Sequence, residues 1–260
     1  MLLRRNVERN RVSYIINSRK QFNPLNTLDS NTINRCKEFA YAMSFGAQGQ
    51  HRANRTGGRN VRRNGEIFCD AFNGKLGEFA IYQYFASQNI NLPEPDLEVY
   101  GLGQWDDTDF FYNNYCIAIK TTKHFGNLLL LEFDDWDTEG RYIPNYDSPS
   151  EGKYDAIILV RINSDIDNRF RNNRKYFCDT LTERELNTIF NGFSCSFDIP
   201  GYASIPLLQH VITHNQIIEQ GSYLGQTTRM DATNYYIQSG DLLDINRLTY
   251  QLSNNSTPIV

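Results

Sequence analysis

The chain has 260 residues, 40% of them hydrophobic and 13% aromatic, which is enough for one α/β domain with a large buried core. This composition excludes an intrinsically disordered chain, because disordered segments are poor in aromatic residues. The net charge is −4, but residues 1–65 carry +10 and residues 66–260 carry −14. This asymmetry predicts a phosphate-contacting surface in the first 65 residues, with a solvated basic segment as the alternative.

Two further features bear on the compartment. No apolar run approaches the roughly 20 residues needed to cross a bilayer. The five cysteines are odd in number, widely spaced and without a C-x-x-C pair, which argues against disulfides or a thiolate zinc site. We therefore expect a cytoplasmic protein of prokaryotic type with reduced thiols and no membrane partner.

The first predicted helix follows Asp29, Ser30 and Asn31, any of which can cap it, and ends at Gly46. The next segment, 49–65, is rich in arginine and has no acidic residue, and two glycines break any continuous helix there. Because a guanidinium group matches the geometry of both phosphates and guanine edges, we predict DNA contacts here. The arginines are Arg52, Arg55, Arg59, Arg62 and Arg63. A solvated loop is the alternative.

A second helix is predicted from Gly74 to Asn89. Within it, Glu78 shares a face with Ile81 and Phe85, so a carboxylate lies on an apolar stripe. Burying an unpaired charge is costly, so Glu78 should have a metal, a shifted pKa or an ion-pair partner such as Lys75.

Several strands are predicted after the second helix. Residues 96–101 form one, residues 109–122 form a β-hairpin joined at Asn113 and Asn114, and the apolar runs 127–133 and 154–162 form two more. A short helix capped by Thr180 or Thr182 follows. A second basic cluster contacts bases or forms a solvated loop, and consists of Arg161, Arg169, Arg171, Arg174 and Lys175.

The hairpin carries the residues that indicate chemistry. Since side chains alternate along a strand, Ile117 and Ile119 face the core, and Ala118 and Lys120 face the opposite surface. Asp109 begins the neighbouring strand, so a carboxylate and an ammonium group come close together. Phosphodiester hydrolysis needs this combination: a carboxylate to hold Mg²⁺ and a cation that stabilises the developing charge.

At these residues the sequence resembles the PD-(D/E)XK nuclease superfamily, to which most type II restriction endonucleases belong. The resemblance covers roughly residues 74–162, with Glu78, Asp109 and Lys120 in the family's order. It implies an αβββαβ core, an α/β fold with a mixed central sheet flanked by helices, and extra helices and loops at both ends. It also implies that Asp109 and the Ile119 carbonyl bind Mg²⁺, and that Lys120 lies beside the attacking water.

One position departs from the family pattern. The residue two before Lys120 should be acidic but is Ala118, which offers no oxygen to a metal. Glu132 is the first candidate for the displaced catalytic and metal-binding carboxylate, followed by Glu78 and Asp107. The first metal carboxylate is Asp109, with Asp106 and Asp107 as alternatives.

Together these features predict one nuclease domain: a basic DNA-contacting arm at 1–65, a catalytic core at 66–180, and a C-terminal extension at 181–260 for DNA reading or dimerisation. The predicted activity is Mg²⁺-dependent cleavage of double-stranded DNA at a short site by a homodimer. Lys123 and His124, just after the catalytic strand, are further DNA-binding candidates. The alternatives are a non-catalytic nucleic-acid-binding protein on the same fold and a structure-selective or RNA-directed nuclease.

Overall fold

The computed structural model describes residues 1–9, 11–46, 62–98 and 108–254, which form a mixed α/β fold. The helices are α1 (Ser30–Ser44), α2 (Asn64–Ser87), α3 (Ile166–Asn172), α4 (Glu183–Phe190), α5 (Ile205–Thr213) and α6 (Ile245–Ser253). The strands are β1 (Arg4–Glu8), β2 (Arg11–Ile15), β3 (Asn26–Thr27), β4 (Phe110–Tyr112), β5 (Tyr115–Lys123), β6 (Leu128–Glu132), β7 (Ala156–Asn163), β8 (Ser196–Ser204), β9 (Ile217–Ile218), β10 (Tyr223–Leu224), β11 (Thr228–Arg229) and β12 (Asn234–Gln238).

The central sheet is mixed, as predicted. Its five strands have the order β3-β8-β7-β5-β4, and β5 and β7 are parallel whereas the other neighbours are antiparallel. The two apolar strands predicted at 127–133 and 154–162 correspond to β6 and β7. The α/β class is therefore confirmed.

The consecutive strands of the expected αβββαβ core do not all pair in this sheet. The observed neighbours of β5 are β4, which pairs with Tyr115–Ile117, and β7, which pairs with Ile117–Lys123. Instead β6 pairs antiparallel with β12 in a separate sheet of order β6-β12-β9. The strand predicted at 96–101 is also not observed: residues 96–98 are not in a strand, and residues 99–101 lie outside the described ranges.

Helix α2 begins ten residues earlier than predicted. At its start the Glu66 carboxylate accepts a hydrogen bond from the Arg63 N–H at 3.1 Å, and the first turns bury Ile67, Phe68 and Phe72. Gly65, the last residue of the segment predicted as a loop, lies within α2 and is required by packing: a Cβ there would lie 2.0 Å from the Lys175 carbonyl oxygen. The predicted caps of the other two helices are confirmed, since Asp29 caps α1 and Thr182 caps α4.

The central sheet is covered on both faces. One core packs α1 and α2 against Ile117 and Ile119 of β5, and a second core packs Ala118 against Leu129 and Leu131 of β6. The strand alternation predicted for β5 is thus confirmed. Strands β3 and β8, which come from the two outer predicted segments, both belong to the central sheet.

The structure bears on the expectations that the chain has no membrane span and that its cysteines are reduced. Among the described residues, no helix combines the length and apolar character needed for a membrane span. All five cysteines are free, and Cys36, Cys69 and Cys195 are buried. Burial raises the pKa of each of these three thiols, to about 12 for Cys195, so they stay protonated at neutral pH.

Candidate active site

The β4–β5 hairpin positions the candidate residues. Asn113 and Asn114 form its two-residue turn with φ values of 48° and 66°, a left-handed conformation that asparagine tolerates better than most residues. The turn fixes a register in which Phe110 lies opposite Ile117. Asp109, one residue before β4, therefore extends toward the edge of β5 near Ala118 and Ile119.

The Asp109 carboxylate is held in place by the backbone of β5. Its Oδ2 accepts a hydrogen bond from the Ile119 N–H at 2.5 Å. The preceding residue, Thr108, donates from its hydroxyl group to the Ile117 carbonyl at 2.9 Å. These contacts extend the hairpin on the N-terminal side of β4 and fix the carboxylate beside the residue that precedes Lys120.

Asp109 and Lys120 line the same cavity, which has a volume of about 270 Å³. Lys120 is exposed, and its Nζ lies 6.0 Å from the centre of the Tyr142 ring. Because the Lys120 side chain faces solvent and a cavity, its ammonium group is accessible to a bound phosphate.

An aromatic wall, which the sequence analysis did not identify, forms the other side of the cavity. It consists of Trp136, Tyr142 and Tyr154, with ring centres 5.2 to 6.1 Å apart. Asn145 also lines the cavity and donates to the Tyr154 hydroxyl at 3.1 Å. In the sequence, the aromatic wall is indicated only by the high aromatic content of residues 136–154. The position of this segment opposite β5 depends on long-range packing.

The residues present fit a sparsely coordinated Mg²⁺. N–H and C=O groups of one strand residue point to the same side, so the Ile119 carbonyl lies at the strand edge where its N–H contacts Asp109. Mg²⁺ commonly takes one or two carboxylates and keeps several waters. Within the described residues, however, no group of three His, Cys, Asp or Glu side chains is placed to hold a metal ion.

Ala118 supplies no oxygen to this site. It is 7% exposed and packs in the second core with Leu129 and Leu131. Any additional carboxylate must therefore come from another element, as the sequence analysis expected.

The structure does not bring Glu132 to the cavity. Leu129 and Leu131 of β6 face the core that contains Ala118, whereas Leu128 and Leu130 face a third core on the other side of that strand. Glu132 shares the alternation of Leu128 and Leu130, so its side chain points away from Ala118.

The structure also keeps Glu78 apart from the cavity. Its Oε2 lies 2.7 Å from the Nζ of Lys75, which is 6% exposed and also donates to the Asp96 carbonyl. Lys75 also lies over the Phe39 ring of α1, whereas Gly77 faces Thr121 of β5. Because successive side chains of a helix point in directions about 100° apart, Glu78 faces α1 and not β5. It forms the ion pair with Lys75 that was expected as an alternative to a metal.

A further carboxyl group, that of Asp155, is partly buried just before β7. The Asp155 Oδ2 accepts a hydrogen bond from the Cys116 N–H at 2.8 Å, which ties the beginnings of β5 and β7 together. Burial raises the pKa of Asp155, and the hydrogen bond from Cys116 opposes this shift only in part.

The predicted DNA-contacting arginines fall into two groups. Arg52, Arg55 and Arg59 lie outside the described residues, as do Asp106 and Asp107. Arg62 pairs with Asp70 at 3.1 Å, and Arg63 pairs with Asp179 at 2.6 Å. The Arg63 side chain remains largely exposed, so it stays accessible to a DNA phosphate.

The other two DNA-binding candidates lie at the end of β5: Lys123 is its last residue, and His124 follows it. Lys123 is about half exposed and pairs with Asp167 at 3.0 Å. The His124 ring makes edge contacts with Phe22 and Phe125. Neither residue lines the cavity of Asp109 and Lys120.

The second basic cluster is largely structural. Arg161 is 1% exposed and binds Asp198 through two nitrogens, at 2.8 and 2.5 Å. Arg169 donates to three backbone carbonyls between residues 189 and 192, and Lys175 pairs with Glu185. Arg171 and Arg174 are exposed and remain candidates for DNA contact.

No family model, curated protein sequence or solved structure matches this chain significantly. The geometry of the site and the resemblance of the hairpin sequence are therefore the features that point to a function.

Proposed function

We propose that this chain is a Mg²⁺-dependent endonuclease that hydrolyses phosphodiester bonds in double-stranded DNA at a short specific site, as type II restriction endonucleases do. One observation carries the proposal: Asp109 and Lys120, from neighbouring strands, line the same cavity. The Ile119 N–H orients the carboxylate, and Lys120 is exposed to an incoming phosphate.

The chemistry assigns a separate task to each group. Asp109 and the Ile119 carbonyl would hold Mg²⁺, which when bound polarises a phosphoryl oxygen as a Lewis acid. The Lys120 ammonium group donates hydrogen bonds to the phosphate and stabilises the negative charge that develops in the transition state. The aromatic wall limits access of bulk water to that side of the cavity, which strengthens these electrostatic interactions.

Substrate and assembly follow from the same proposal. Arg63, Arg171 and Arg174 are exposed and supply positive charge for phosphate contacts. Cutting both strands at a symmetric site needs two catalytic centres, and a twofold homodimer provides one in each subunit.

A cleavage assay tests this proposal. Purified protein is incubated with sequenced phage DNA in Mg²⁺ and, separately, with a chelator, and the ends produced are mapped. We expect discrete fragments in Mg²⁺ alone, and a loss of at least about 100-fold in rate for Asp109→Asn and Lys120→Ala, as for other groups that stabilise a transition state. Lys153→Ala removes an exposed lysine that pairs with Glu151 and does not line the cavity, so it is the matched control and should cut normally. Cleavage that survives both active-site changes would contradict the proposed site.

A second candidate function is sequence-specific DNA binding without catalysis. The buried Ala118 at the family's acidic position favours it. Binding of the phage fragments without cleavage in Mg²⁺ or Mn²⁺ would support this function. Parallel assays on branched DNA and RNA separate both candidates from a structure-selective or RNA-directed nuclease.

A further inference from the structure

The outer edge of β1 is an open strand edge. β1 is the first strand of the sheet β1-β2-β10-β11, and all five of its residues are exposed. In the described part of the chain, no strand pairs with this edge. Val7 is 54% exposed, so an apolar side chain lies beside unpaired backbone groups. Such an edge is a template for another strand.

The backbone groups that point outward belong to Arg5 and Val7. Arg5 lies opposite Tyr14 in the β1–β2 hairpin. The Tyr14 carbonyl accepts a hydrogen bond from the Gly225 N–H on the side of β2 that faces away from β1. Hydrogen-bonded and non-hydrogen-bonded pairs alternate along an antiparallel ladder, and Arg5–Tyr14 is therefore a non-hydrogen-bonded pair. Arg5 and Val7 therefore direct their N–H and C=O groups away from the sheet.

The open edge has a defined beginning. The Leu3 N–H, which is the next outward group toward the start of β1, donates to the Tyr236 hydroxyl at 3.0 Å. The segment that can accept another strand is thus centred on Asn6, with one outward-pointing residue on each side.

We propose that two copies of this chain dimerise by antiparallel pairing of their β1 strands about a twofold axis at Asn6. In this register Arg5 lies opposite Val7 of the partner subunit, and Val7 opposite Arg5 of the partner subunit. The four outward backbone groups of each subunit then form four hydrogen bonds across the axis.

Charge complementarity favours this register. Arg4 lies opposite Glu8 of the partner subunit, so the axis generates two ion pairs on one face of the joined sheet. Asn6 donates to the Glu8 carboxylate at 2.9 Å within one subunit, which directs that carboxylate along the same face. Centring the axis on Arg5 instead would place two arginines opposite each other.

The proposed interface does not depend on the nuclease proposal, and it supplies the twofold axis that cleavage of both strands needs. Two paired five-residue strands bury less surface area than a standard protein–protein interface. We therefore expect an association that depends on protein concentration and becomes tighter when both subunits occupy one DNA site.

Disulfide trapping in the absence of DNA tests the register. Directly opposite residues of a non-hydrogen-bonded pair have Cα atoms about 4.5 Å apart, within disulfide range. Asn6→Cys should therefore form a disulfide-linked dimer under mild oxidation, whereas Val7→Cys should not, because its cysteines lie diagonally across the axis. The unsubstituted chain controls for its five native cysteines. Equal trapping of the two variants, or no trapping of Asn6→Cys at high concentration, would overturn the proposal.

Charge reversal provides a second, independent test by light scattering. Arg4→Glu and Glu8→Arg should each weaken self-association at least several-fold, because each places like charges across the axis. An equimolar mixture of the two variants should associate again, since every cross-axis pair is then opposite in sign. If the mixture stays monomeric at concentrations where the unsubstituted chain is dimeric, the proposed pairing is wrong. A monomeric unsubstituted chain at every concentration would also refute it.

Discussion

Two charged sites on the central sheet have opposite environments. Arg161 of β7 is buried, and its guanidinium group binds Asp198, two backbone carbonyls and the Asn127 side chain. Lys120 of β5 is exposed and shares an open cavity with Asp109. The guanidinium group of Arg161 uses its N–H groups for hydrogen bonds within the protein, whereas the ammonium group of Lys120 faces an open cavity. Residual access, more than the presence of opposite charges, therefore distinguishes the proposed active site from the structural ion pair.

Breaking the structural pair should have the largest effect on stability. Arg161→Met leaves the Asp198 carboxylate buried without its main partner, and we expect the free energy of unfolding to fall by about 3–5 kcal/mol. Urea denaturation measures this change. The double variant Arg161→Met/Asp198→Leu should recover much of the loss, because no buried charge remains. A loss below about 1 kcal/mol in the single variant would contradict a structural role.

The contact between α2 and β5 should give the next largest effect. A Cβ at Gly77 would lie 1.9 Å from the Thr121 Oγ1, so Gly77→Ala forces β5 or α2 to shift and should cost about 1–3 kcal/mol. Gly74 in the same helix has open space around it, and Gly74→Ala should instead stabilise the protein by about 0.5–1 kcal/mol. Thermal unfolding measures the stability of both variants. Equal changes would show that helix propensity, and not packing against Thr121, determines the effect of Gly77→Ala.

The Asp155 carboxyl group allows a smaller test, through pH. Burial raises its pKa above the ordinary value of 3.8, so the protonated form is favoured in the folded state. The stability that this group contributes is present at acid pH and is lost as the pH rises through its folded pKa. Asp155→Asn should thus match the unsubstituted protein at acid pH and have a higher melting temperature at neutral pH. A difference that does not vary with pH would contradict the burial effect.

The smallest change in stability is expected at the proposed active site. Because Lys120 is exposed, Lys120→Ala should alter the free energy of unfolding by no more than about 0.5 kcal/mol. Urea denaturation in parallel with Arg161→Met gives the contrast between the two regions. A loss comparable to that of Arg161→Met would assign Lys120 a structural role.

The sequence predicts the parts of this site that depend on local geometry. The turn at Asn113 and Asn114 and the alternation of Ile119 and Lys120 along β5 follow from short-range rules of strand geometry. The pairing of β6 with β12 and the insertion of β8 between β3 and β7 depend on contacts distant in sequence. For the same reason, the aromatic wall around Trp136 and the direction of Glu132 were not predicted.

A double-mutant comparison of DNA cleavage tests the central claim most directly. Rates are measured in Mg²⁺ for the unsubstituted protein, Asp109→Asn, Lys120→Ala and the double variant, with folding of each checked by its unfolding transition. If the two residues act on the same phosphate, the double variant should be little slower than the slower single variant, because groups that act as a unit are not additive. Unimpaired cleavage by either folded single variant, or no cleavage by the unsubstituted protein, would contradict the account.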